Sequence, residues 1–337
     1  MEKYIEQSAT IGIFLSKCYF QSRNCLREVV GTLDQRKPYL FVHEADPAKG
    51  GGPLEELKLE LENEKHRNAL FDGRRVTVWH RIADFQLVSL LQIAEDMLLF
   101  SPEYEGREAL PLYVPGGLLE QRLAFPKPVE LYVSKNNPGA DVLAKEVISC
   151  FDQISITSTF PLSSEAPAGS STTQATHFLL YLNKQTFNGP EGETLAVQVR
   201  DTQRVGMQIV MVHENDPDQG SCEFANFFQT TPPDLIQAGL YKALAIPFMS
   251  GKSHRKVSHA LFAKELGATR SEGGIPHLAA CHDAMMQDTC EAPWHVAQTA
   301  VGAAGSVGTV VSGAVGRGLQ LKLPKSSSRP RITFSDC

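Results

Sequence analysis

Cysteine is scarce and unpatterned, with seven residues, an odd number, scattered from Cys18 to Cys337 along a chain of 337. That excludes a disulfide-stapled secreted scaffold, and the thiols are expected to be reduced, in the cytoplasm. Basic charge is also short: 32 Lys and Arg stand against 38 Asp and Glu, a net charge of −6. The chain lacks the electropositive field that draws in phosphate backbones, so no nucleic acid partner is expected. The opening residues MEKYIEQSAT carry Glu2 and Glu6 and no apolar run behind a basic flank, so no secretory signal is expected there. With 42% hydrophobic and 21% charged residues, wholesale disorder, collagen and coiled coil are excluded. The length suits two compact domains.

The chain does contain an internal repeat. IFLSKCYF from Ile13 matches LYLNKQTF from Leu180, and FVHEADPAKG from Phe41 matches MVHENDPDQG from Met211. His43, Glu44, Asp46, Pro47 and Gly50 thus recur as His213, Glu214, Asp216, Pro217 and Gly220, and Lys17 and Phe20 recur as Lys184 and Phe187. A spacing of roughly 170 residues makes the repeating unit a domain rather than a solenoid module. In the second copy, short apolar strands are predicted at VELYVSK, ISIT, HFLLYL, MQIVMV and KALAIPF, separated by helical stretches; this alternation predicts a parallel sheet covered on both faces. The first copy predicts only the back half: strands IGIFLS, YLFVHE and VTVWH, a helix after Asn24, a charged helix through LEELKLELENEKHRNALF, and a helix DFQLVSLLQIAEDMLLF. Two front strands have no counterpart, and they would come from upstream sequence or from another protein surface. The strand Ile11 to Ser16 would then be an unpaired edge.

In LSKCYFQSRNCLREVV, Ser16, Tyr19, Ser22, Cys25, Leu26, Glu28 and Val29 fall in the order of a TIR (Toll/interleukin-1 receptor) domain signature. The segment resembles the plant-type form S-x-x-Y-x-x-S-x-W-C-L-x-E-L, with Asn24 in the Trp position. KPYLFVHE is similar to the fourth TIR strand, and VELYVSK to the first. The resemblance covers about residues 10–100 and 128–267. It implies an α/β fold of flavodoxin-like type in two related units. Residues 1–100 would be a partial, truncated unit, 101–128 a linker rich in Pro and Gly, 129–267 a second, degenerate unit, and 268–337 a flexible Gly/Ala-rich tail.

The resemblance also implies function. TIR domains are signalling assembly modules, so the expected partners are other TIR-containing proteins or a second copy of the chain. Many members also hydrolyse NAD+ at the nicotinamide glycosidic bond, and the position of their catalytic carboxylate is taken here by Glu28. Such a carboxylate stabilises the oxocarbenium character that develops on the ribose; NAD+ would be a substrate, and no resident cofactor is expected. The plainer alternative makes Glu28 an exposed carboxylate in the first turn of a helix. In the second unit the equivalent position is Leu195, with Glu193 two residues early, so catalysis is not expected there.

The repeated V-H-E-x-D-P-x-x-G motif follows a strand and favours a turn: Asp-Pro initiates it, and Gly50 and Gly220 allow positive φ. His277, Cys281, His282, Cys290 and His295 fit structural zinc spacing only in part, so no metal is assigned. From Trp294 to Gly316 no Asp, Glu, Lys or Arg occurs, and small residues repeat at Ala300, Ala304, Gly308, Ser312 and Gly316. That pattern suits membrane helix contact, but without Leu, Ile or Phe its transfer energy is weak, and membrane contact through 294–316 is the lesser reading. A flavin or nucleotide module is disfavoured because SKNNPGAD, after Val133, holds a single Gly.

Overall fold

The computed structural model describes residues 2–160 and 175–271. The polar stretch 161–174, the His/Cys set at 277–295, the run 294–316 and the remainder of the tail lie outside the described residues. In chain order the regular elements begin with α1 (Glu2–Gln7), β1 (Ile11–Leu15), α2 (Arg23–Asp34), β2 (Tyr39–His43), α3 (Leu54–Leu59), α4 (Glu64–Phe71), β3 (Val76–Val78) and α5 (Ala83–Leu99). They continue with β4 (Leu123–Ala124), β5 (Val129–Val133), α6 (Ala140–Ile148), β6 (Ile154–Thr157), β7 (His177–Leu182), α7 (Gly189–Val205), β8 (Gln208–Glu214), α8 (Phe227–Thr230), α9 (Pro233–Gln237), β9 (Ile246–Phe248), α10 (Lys252–Glu265) and β10 (Thr269–Arg270).

The fold is α/β. The larger sheet has the order β6-β5-β7-β8-β9 with every pairing parallel. In sequence order its strands run 2-1-3-4-5, the flavodoxin-like arrangement. The smaller sheet, β1-β2-β3, is also parallel. The central strands β2 and β7 are buried almost throughout, as strands covered on both faces must be, whereas β1 alternates buried and half-buried residues. Pro247 lies in β9, an edge strand, where its missing N–H costs least.

Two segments depart from the sequence reading. The charged stretch at 54–71 forms two helices, with Leu57, Leu61 and Leu70 all buried against the smaller sheet. In one continuous helix of about 3.6 residues per turn, Leu61 and Leu70 would stand on opposite faces. The break at Glu60–Asn63 rephases them, and Asn63 caps the new helix by accepting from His66 N–H at 3.0 Å. The stretch 101–128, expected as a linker, is partly core. Leu118, Leu123 and Phe125 are buried with β5, α6 and α10, and β4 pairs antiparallel with β10. Helix α5 joins the same core through Phe85 and Val88, so the helix that follows the smaller sheet packs on the layer covering the larger one.

Candidate functional site

The carboxyl ends of parallel strands are where doubly wound folds bind ligands, and the repeated motif stands there in both sheets. Its hydrogen bonds recur nearly atom for atom. His43 Nε2 lies 2.8 Å from Gly52 O, and His213 Nε2 lies 2.8 Å from Cys222 O. Each carbonyl can only accept, so each ring carries its proton on Nε2. Glu44 Oε1 accepts from Asp46 N–H at 2.9 Å, and Glu214 Oε1 from Asp216 N–H at 2.8 Å. Asp46 and Asp216 each cap a one-turn helix by accepting from Ala48 and Asp218 N–H. Lys17 and Lys184 N–H donate to Gly50 O and Gly220 O at 2.8 and 2.9 Å. The motif's polar atoms are largely spent on shaping the loop.

Each motif glutamate also pairs with an arginine that the sequence reading passed over. Arg81 binds Glu44 and Arg255 binds Glu214. The signal was available in the His-Arg dipeptides at 80–81 and 254–255, each of which follows the last strand of its sheet.

Arg255 is the hub of a buried network. Its Nε and Nη2 donate to Glu146 at 2.8 and 2.9 Å in a bidentate pair, and Nη1 donates to both Glu214 oxygens at 2.9 and 3.0 Å. The guanidinium also stacks over Phe248 at 4.8 Å. Tyr181 donates its hydroxyl to Glu214 at 2.8 Å, and His259 Nε2 lies 2.8 Å from Glu146. Burial alone would push the Glu146 carboxyl upward, but Arg255 and His259 hold it at about 2. Burial and the Glu214 carboxylate push the Tyr181 phenol upward, so it stays a donor.

In the order 2-1-3-4-5 the switch-point crevice opens between β5 and β7. Here the protein's own side chains occupy it. Asn137 exchanges two 2.8 Å hydrogen bonds with the Tyr181 backbone, and Asn183 Nδ2 donates to Pro138 O at 2.8 Å. Gly139, with φ at +83°, lies against the Tyr181 ring where a side chain would collide. Neither asparagine stood out in the sequence, because their partners are backbone atoms more than forty positions away.

Glu28 lies in the second turn of α2 and is 8% exposed, which removes the reading of an exposed first-turn carboxylate. Tyr19 hydroxyl donates to its Oε2 at 3.5 Å. Cys25, Val29 and Thr32 share this buried face. On α7, Leu195 is fully buried while Glu193 is exposed, so Glu28 occupies a core-facing helical position where the second sheet's helix has leucine.

Where the two sheets' helices meet, the His80 and His254 rings lie with centroids 4.6 Å apart and planes tilted by 56°, and Ser89 Oγ lies 3.4 Å from His254 Nε2. Burial pushes His80 below its usual range; burial, and then the neighbouring His80, hold His254 at about 4. Among the described residues, no group of three or more His, Cys, Asp or Glu could hold a metal ion, and no helix is long and apolar enough to cross a membrane. No family model, curated protein or solved structure matches the chain.

Proposed function

We propose that this chain is a TIR-like signalling protein of the cytoplasm that works through protein assembly, with a second copy of itself or another TIR-containing protein as partner. The observation that carries this reading is the filled crevice at the carboxyl ends of the larger sheet. Asn137, Asn183 and Tyr181 close that crevice with the protein's own hydrogen bonds, which favours contact between surfaces over a ligand bound at this switch point. The Ser16-to-Val29 signature and the flavodoxin-like strand order support the same reading. Sedimentation of the full chain over a wide concentration range, alone and with a purified TIR domain, tests it. The expected result is a mass that rises with concentration or on adding the TIR domain. A monomer that ignores both defeats the proposal.

A second reading, NAD+ cleavage, is favoured by one observation. Glu28 is a carboxylate held on a buried helix face by a tyrosine hydroxyl, in a place where apolar packing would be cheaper. Nicotinamide release by the wild type, Glu28→Gln and Glu193→Gln at equal folded concentration is the measurement. Loss by at least about tenfold in Glu28→Gln alone is expected under this reading, a change of about 1.4 kcal/mol in the barrier. Activity that survives Glu28→Gln rules the assignment out.

A further inference from the structure

We propose that β1 pairs antiparallel with β1 of a second copy of this chain, across a two-fold axis at Ile13. The inference rests on the assembly reading above and specifies the partner and the contact. Ile11 N–H donates to Pro38 O at 2.9 Å, and Leu15 O accepts from Glu44 N–H at 2.9 Å, in a ladder where Ile13 stands opposite Phe41. Backbone groups along a strand alternate sides, so residues 11, 13 and 15 face β2, and the N–H and C=O groups of Gly12 and Phe14 face outward. Among the described residues no strand pairs on that side.

The strand IGIFL has no charge and no Pro, the usual guards of a free edge. By the internal repeat, β1 corresponds to β7, and on β7 the same edge is already a pairing edge: β5 occupies it with Leu131, Tyr132 and Val133 opposite His177, Phe178 and Leu179.

The choice of a second copy comes from the strand's self-complementarity. With the axis at Ile13, Gly12 stands opposite Phe14 of the second copy, and Ile11 opposite Leu15. The outward groups then close two hydrogen-bonded pairs, each between Gly12 and Phe14 across the axis, flanking a non-hydrogen-bonded Ile13 pair. A phenyl ring over a cross-strand glycine covers backbone that glycine leaves bare, and Phe14 is only half-buried within one chain. The axis stands perpendicular to the sheet, so the buried faces of Ile11, Ile13 and Leu15 fall on the same side in both copies. The result is one continuous sheet, and a self-complementary edge closes the assembly at two chains.

The test uses the full chain. Phe14→Lys places a charge on the edge, and Gly12→Pro removes an outward N–H while leaving the bonds to β2 intact. Each variant is expected to weaken dimerisation by at least about tenfold in sedimentation, with circular dichroism unchanged. Hydrogen exchange of the wild-type segment 11–15 is expected to slow as concentration rises, which a merely destabilised variant could not mimic. A dimer as tight in both variants as in the wild type, or exchange at 11–15 indifferent to concentration, overturns the edge pairing and leaves assembly through another surface standing. A chain that stays monomeric overturns the pairing, and only its further failure to bind a purified TIR domain removes the assembly reading as well.

Discussion

His254 is 6% exposed and faces another imidazole, so the proton it would take near pH 6.5 in the unfolded chain is refused in the folded one until about pH 4. The sign follows from linkage: between those values the unfolded state binds more protons, so stability falls as pH drops through the window. His80, His177 and His213, also lowered by burial, add to the same slope. Glu146, held at about 2, works in the same direction, but only below the usual carboxylate range. The urea midpoint of the full chain is therefore expected to fall between pH 6.5 and 5. In His254→Phe, which keeps a ring between Phe85 and His80, the fall should be shallower. An equal slope in both proteins would show that the His80–His254 pair does not carry the effect.

At the scale of elements, the turn after β2 depends on two adjacent glycines for different reasons. Gly50 has φ at +79° and open space around it, so Gly50→Ala should cost only backbone strain, about 1 to 2 kcal/mol. Gly51 has no positive φ, but an added Cβ would run into the Glu44 carbonyl, which is backbone and cannot step aside. Gly51→Ala is expected to destabilise more than Gly50→Ala in urea unfolding, and the reverse order would mean that the loop relaxes easily. A motif read for its Asp-Pro and its first glycine thus contains a second constraint that spacing alone did not expose. Helix α5 offers a related lesson. Its apolar residues were plain in the sequence, but nothing local indicated that Phe85 and Val88 would join the core around α10.

At the scale of the molecule, the core around the larger sheet does not begin at Val129. Leu118, Leu123 and Phe125 are buried in it, and Leu123–Ala124 pairs with Thr269–Arg270. A fragment of residues 117–271 is therefore expected to unfold at clearly higher urea than one of residues 129–267. Each buried Leu or Phe lost contributes on the order of 1.5–3 kcal/mol. Equal midpoints would show that the 117–128 stretch is dispensable. Deletion of residues 1–100 removes Phe85 and Val88 as well, so point changes on β1 are the cleaner probe of assembly.

The sequence by itself determined the eight strands of the two parallel sheets and most of the helices, though not β4 and β10, because short apolar runs such as HFLLYL and YLFVH, bounded by turn residues, suit strands buried on both faces, and the repeat announced the turn chemistry of both loops. It also singled out Glu28. Only the tertiary structure decided that Glu28 is buried beside Tyr19, that Arg255 bridges Glu146 and Glu214, and that Asn137 and Asn183 close the crevice. The physical reason is range. Periodicity and turn propensity act over a few residues, whereas a buried charge or amide is satisfied by partners up to 113 positions away, and no local pattern records them.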